Sequence, residues 1–230
     1  EAFKLSDVEK AFYEALQDYL RDGYNAAEAQ GQKGTALGFV MTIFQKIAAS
    51  SFAAVRLTLQ RRLLMLTIQE AIERDEALDV DGRDRLYAEA LEHIIHLHGL
   101  PSDIVGRAQA EQMLADMKLH LLKKRQKALG EAVTAAETAD TELAAAGSEE
   151  SAAEYVAVAL PEERRRIAEL LEEFPEGVES KTAVLLNALR QVWQVSPDEK
   201  VVIFATYLGS VANIKAAIER SFPDKGVEVL

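Results

Sequence analysis

The chain has 230 residues, 38 of them acidic and 26 basic, for a formal net charge of −12. Hydrophobic residues make up 49% and charged residues 28%, a balance that supplies a packed core and excludes global disorder. The absence of cysteine removes disulfides, thiolate metal ligands and cysteine nucleophiles together, and no apolar run approaches the ~18 residues of a membrane helix.

The start, Glu1-Ala2-Phe3-Lys4-Leu5, has no charged segment leading into an apolar one, so no signal peptide is expected and a cytoplasmic location is. The acid excess opposes bulk attraction to nucleic acid and leaves only local basic patches for such contact. The chain begins with Glu1 and stops at Val229-Leu230, within what reads as a strand, so it reads as cut at both ends.

In chain order, Ser6-Asp7-Val8-Glu9 is a capping box that opens a helix with its apolar stripe at Val8, Phe12, Leu16, Tyr19 and Leu20. Gly31 to Gly34 punctuates, and Leu37, Val40, Met41, Phe44 and Ile47 mark a second helix. Ser50-Ser51 caps a third, amphipathic through Phe52, Val55, Leu59, Leu63 and Leu66, which Asp79-Val80-Asp81-Gly82 ends. A fourth runs from about Arg83 to His98 and stops at Gly99-Leu100-Pro101. From Ser102 to about Ala146 no proline interrupts an apolar repeat, enough for a rod of roughly 60 Å. Its alanine-rich second half suits an antiparallel hairpin or an exposed arm.

Pro161 opens a further helix that reaches Phe174, and Pro175-Glu176-Gly177 closes it. Ser180 to Gln194 is one more amphipathic helix. Val201-Val202-Ile203-Phe204-Ala205 then reads as a strand buried on both faces of a parallel sheet. A helix from Val211 to Phe222 and a second strand from Val227 complete a right-handed βαβ unit, which needs further strands to be stable. The fold class is therefore mainly α: a helical bundle with a long antiparallel arm, followed by an incomplete α/β unit.

Candidate sites are few. Arg56, Arg61 and Arg62 lie about 40°, 180° and 280° round their helix from Phe52, so they form no single stripe for phosphates. Arg61 alone opposes the apolar face and is a candidate DNA contact; the plainer reading of all three is solvated charges paired with the abundant acids. Lys123, Lys124, Arg125 and Lys127 ring the long helix as a basic collar, a candidate DNA contact or a solubilising surface. Arg164-Arg165-Arg166 beside Glu162-Glu163 suggests local pairing. His93 and His96 share a face, but His98 lies about 140° further round, which argues against a metal site. The same segment ends the helix, where its dipole favours imidazolium. Asp79-x-Asp81-Gly82 has the wrong spacing for a calcium loop and reads as a turn. Gly31-Gln32-Lys33-Gly34-Thr35 has the wrong spacing for a phosphate loop. Trp193 and Phe204 are assigned to the core.

Two segments carry a family resemblance. The first is Phe3 to Tyr13, with Leu5, Ser6, Glu9 and Tyr13, followed by Phe44-Gln45-Lys46, Ala49-Ser50-Ser51 and Leu59-Gln60-Arg61-Arg62-Leu63. The second is Ser180-Lys181 with Leu185, then Lys200 to Tyr207. In this order they resemble the Swi/Snf-type, HepA-like ATP-dependent DNA helicases and translocases, over roughly 5–75 and 180–230. The resemblance implies that residues 1–78 are a helical protrusion following the first motor lobe. It implies that 79–175 are a helical insertion with the long arm, and that 176–230 begin the second RecA-like lobe, including the strand called motif IV. It also implies ATP and Mg²⁺ for an intact motor, although the phosphate-loop, Mg²⁺ and arginine-finger motifs are absent from these residues, so no cofactor is expected on this chain itself. Thr206 and Tyr207, at the carboxyl edge of the first strand, are then where the family contacts a nucleic-acid backbone; a hydroxyl capping the next turn is the plainer alternative. Two functions follow as expectations: an inactive piece of a DNA translocase, or a non-enzymatic helical module whose arm docks a partner protein.

Overall fold

The computed structural model describes residues 4–29, 35–130, 162–205 and 207–229. Eight helices are found among the described residues. They are α1 (Asp7–Ala29), α2 (Thr35–Ser50), α3 (Phe52–Glu76), α4 (Val80–His98), α5 (Ile104–Gly130), α6 (Glu163–Glu172), α7 (Ser180–Val195) and α8 (Leu208–Ser221). The mainly α class holds. No helix among the described residues is long and apolar enough to cross a membrane.

The local signals work as written in the sequence. Glu9 N–H donates to Ser6 Oγ at 3.2 Å while Ser6 N–H donates to Glu9 Oε2 at 2.7 Å, closing the capping box. Ser51 caps α3 by accepting from the Ala54 amide. Asp79 caps α4 by accepting from the Gly82 amide at 3.0 Å, so Val80-Asp81-Gly82 is the first turn of this helix rather than the separate turn expected before Arg83. Gly99 closes α4 in the left-handed conformation (φ 58°), with its own N–H on His96 O and the Leu100 N–H on Ile95 O.

Helix α3 organises the molecule, because it contacts α2, α4, α5, α6 and α8. Its first half joins α1, α2 and α6 in one apolar cluster centred on Phe12, Leu16, Tyr19, Phe44, Val55 and Leu59. Its second half joins α4 and α5 in another, through Leu64, Met65, Ile68, Ile72, Ala90 and Ile94. Every residue from Leu63 to Ile68 is buried, so α3 is not the one-faced amphipathic helix that its stripe suggested. A helix apolar all round is a helix with neighbours all round.

Helix α5, at ~1.5 Å per residue, is a rod of about 40 Å. The alanine-rich half of the expected arm, from 131 onward, and Pro161 lie outside the described residues.

A third cluster is separate. Leu186 and Leu189 of α7 pack on Ala217 and Ile218 of α8, with Trp193, Ile203, Phe222 and Val227 against them. The Trp193 and Phe222 rings meet edge to face at 4.9 Å, which bears out the core assignment of Trp193. The assignment of Phe204 does not hold, because it is 93% exposed and Val202 is 70% exposed. No strand occurs among the described residues; 201–205 and 227–229 have no ladder. The physical reason is the one that limits any pair of parallel strands: without further strands beside them among the described residues, pairing gains too little to hold. Only Ile203 and Val227 turn inward.

Candidate functional site

The feature that draws distant parts of the sequence together is a seam between the helical bundle and the α7–α8 pair. Glu9, only 4% exposed, uses its carboxylate twice. Beyond closing its own capping box, it accepts from the Ser180 amide at 2.7 Å and from the Ser180 hydroxyl. Ser180 is the first residue of α7, so a side chain of α1 satisfies an orphan donor at the start of α7. The exchange is mirrored. Glu179 accepts from the Phe52 amide, first in α3, at 2.7 Å, and from the Ser51 hydroxyl at 3.2 Å. Carboxylates at helix N-termini are favoured twice over, by charge-assisted hydrogen bonds and by the helix dipole.

Burial alone would raise the Glu9 pKa, but the Ser180 hydroxyl and amide and the Ser6 donors outweigh it and hold the carboxylate below the usual glutamate range. A carboxylate depressed in the folded state contributes stability that is present above its unfolded pKa of about 4.3 and is lost as pH falls through the folded value. Stability measured from about pH 5 down to pH 3 should therefore fall more steeply for the parent chain than for Glu9→Gln. Equal slopes would show that Glu9 is not the titrating group.

An open cleft of about 1150 Å³ runs along the seam, lined by Glu9, Phe52, Arg56, Phe174, Glu179 and Asn213 among others. Arg56 is exposed and lies over the Phe174 ring, 4.9 Å from its centroid. Arg56 shares the lining with Glu9, Glu176 and Glu179, so the cleft does not favour a phosphate.

The other sequence candidates fall apart in space. Arg62 is not solvated. It is 1% exposed and donates from Nε and Nη2 to the two oxygens of Glu163, each at 3.0 Å. The Tyr19 hydroxyl donates to the same carboxylate at 2.8 Å, and burial, then the Glu163 charge, push its pKa well up. Arg61 is half-buried near His98.

Of the three consecutive arginines, Arg165 pairs locally with Glu162 and Glu169 as expected. Arg164 instead reaches Glu70 of α3 and Glu89 of α4, and Arg166 reaches Asp22 of α1. The reason is geometry: neighbours in sequence point to different helices when α6 lies in a groove.

His93 and His98 also depart from expectation. Burial lowers both pKa values, against the Glu89 charge and aided by Arg164 and His96 at His93, and aided by Arg61 at His98. No group of three or more His, Asp or Glu side chains stands close enough to hold a metal among the described residues.

Lys123 is exposed on α5, while the side chains of Lys124, Arg125 and Lys127 lie outside the described residues. Thr206 lies outside them too. Tyr207 is half-buried, packs against the first cluster and precedes α8, where its carbonyl accepts from the Val211 amide at 3.1 Å. The seam was not found from sequence, although both of its anchors, Ser6-x-x-Glu9 and Ser180, lie within the two segments that carry the resemblance. The sequence matches no protein-family model, no curated protein and no solved structure.

Proposed function

We propose that this chain is the part of a Swi/Snf-like ATP-dependent DNA translocase that links a first motor lobe to the start of the second, RecA-like one. The observation that carries this reading is the seam. The two segments resembling the family, 171 residues apart at Glu9 and Ser180, are bonded to each other through residues of the resembling motifs themselves. A second support is the exposed apolar run with Val202 and Phe204, a surface suited to a sheet that further strands would complete. In this reading α1–α6 form a rigid platform and α7–α8 with residues 201–205 form the entry to the second lobe. DNA would be gripped by the complete motor, with Thr206, Tyr207 and the Lys123–Lys127 collar as this chain's contribution.

ATP would supply the energy that closes the lobes, but the residues present do not fit it. The sequence has no G-x-x-x-x-G-K-[ST] cradle, and two of the carboxylates in the cleft lining, Glu9 and Glu179, are already committed to helix N-termini. The chain alone is thus an inactive piece. A second reading, a helical interaction module, is favoured by one observation: Ile104, Val105 and Leu119 are exposed on α5.

The test is turnover by the polypeptide of the complete reading frame, with and without linear duplex DNA. DNA should raise ATP hydrolysis several-fold, and the 230 residues alone should show none. Hydrolysis absent from the complete protein, or indifferent to DNA, would leave the interaction module. In the complete protein, Lys123→Ala with Lys124→Ala should flatten the slope of log affinity against log salt by up to about 2, since each phosphate contact contributes ~0.9. An unchanged slope would make the collar a solvated surface only.

A further inference from the structure

The seam has the construction of a clasp rather than of a core. The α7–α8 pair keeps its own apolar cluster, and none of that cluster's residues belongs to the bundle's clusters. Among the described residues of 180–229, Tyr207 is the one apolar side chain packed against the first bundle cluster. The backbones also approach closely: α8 comes so near α3 that a Cβ on Gly209 would sit 3.0 Å from Ala54 Cα. Polar contacts also join the two bodies, among them Glu9 to Ser180, Glu179 to Ser51 and Phe52, and Lys181 Nζ to Ala49 O. A water-accessible cleft lies alongside these contacts. The tether between the bodies, Pro175 to Val178, includes Gly177 in the left-handed region at φ 99°, and Val178 is exposed. Small, polar, wet interfaces within a chain permit relative motion, whereas large apolar ones forbid it.

We infer that Glu9 and Glu179 form a two-carboxylate clasp that holds the α7–α8 pair docked on the bundle, and that loss of the clasp frees the pair to swing about the 175–178 tether while both bodies stay folded. The exchange is symmetric in logic. Each body lends one carboxylate to the first amide of a helix in the other, so undocking leaves both helix starts to be satisfied by water, at little cost to the helices themselves. Glu179 is the cleaner handle. Its side chain makes no cap bond to its own helix, so removing it touches only the seam. Glu9 also closes the α1 capping box, so its removal has a local cost as well. The inference goes beyond the motor reading and stands whether or not that reading holds.

The experiment uses the whole chain, which has no native cysteine, so spin labels can be placed at Gln17→Cys on α1 and Ser221→Cys on α8. The parent should give one narrow distance distribution. Glu179→Ala should broaden it and shift it to longer distances, with helical content unchanged. Amide exchange at Phe52 and Ser180 should rise at least tenfold in Glu179→Ala with Glu9→Gln, while the amides of Leu59 and Ile68 keep their protection. An unchanged distribution in Glu179→Ala would overturn the inference and assign docking to Tyr207 and Gly209. If Glu179→Ala loses helical content throughout, the seam belongs to the global fold and the inference also fails. If the double variant unfolds, Glu179→Ala alone decides between these outcomes.

Discussion

Replacing Glu163 by alanine should destabilise the chain by about 3–5 kcal/mol, because it removes the carboxylate that a buried guanidinium grips with two hydrogen bonds. Arg62 is 1% exposed, and both of its described contacts to a carboxylate go to Glu163. The same change removes the acceptor of the Tyr19 hydroxyl, itself fully enclosed. The loss is thus one of desolvated donors left without acceptors, not of Coulomb attraction, and it will be nearly insensitive to salt. A urea titration would show a lower midpoint with little change in slope. The paired replacement Arg62→Met with Glu163→Leu is the decisive companion, because it removes both charges at similar volume. It should recover most of the loss, since apolar replacements of buried ion pairs are often neutral or better. A loss below about 1 kcal/mol for Glu163→Ala would mean that water or another partner of Arg62 takes over from the carboxylate.

Phe12→Ala is expected to cost a comparable amount, about 3–5 kcal/mol, by a different mechanism. Its ring is 1% exposed and sits edge to face with Phe52 at 5.5 Å and Phe174 at 5.1 Å. Each such pair contributes ~0.5–1.5 kcal/mol beyond area burial, and the cavity lies where α1, α3 and the end of α6 meet. Phe12→Leu keeps most of the volume and should cost clearly less. Thermal unfolding of the two variants under one buffer checks both values. Equal losses would show that ring geometry, not volume, governs this corner. The two predictions also differ in consequence. Phe174 precedes the Pro175 tether and carries the Arg56 guanidinium on its face, so Phe12→Ala should loosen the seam as well as the core.

Both large effects come from partners far apart in sequence, which explains why a sequence reading misplaces Arg62 and leaves Phe12 as one member of a stripe. Arg62 and Glu163 are 101 residues apart, and the helical wheel places Arg62 correctly off the Phe52 face. What the wheel lacks is the position of α6, which covers that second face and turns a solvated arginine into a buried one. Leu64 and Met65 are apolar on the face that a single-sided reading gives to water, and that was the available signal. The run from Leu63 to Ile68 is too apolar for a helix with only one covered side. Phe204 shows the opposite error: five apolar residues together look like a central strand, yet burial needs neighbouring strands.

The starts of α1, α3 and α4 and the stop of α4 were determined by the sequence alone, because their physics spans three or four residues. Ser6 with Glu9, Ser51 with Ala54, Asp79 with Gly82 and Gly99 after His98 each satisfy groups within one turn. The tertiary structure decided which of those local devices serve twice. Glu9 closes a capping box that any reader can find, and only the approach of α7 makes the same carboxylate the acceptor for Ser180. Likewise Glu179, unremarkable beside Ser180, becomes the cap of α3 because the chain returns there after more than a hundred residues. A carboxylate has more lone pairs than its own helix can use, and what fills the remainder depends on packing, which sequence periodicity does not encode.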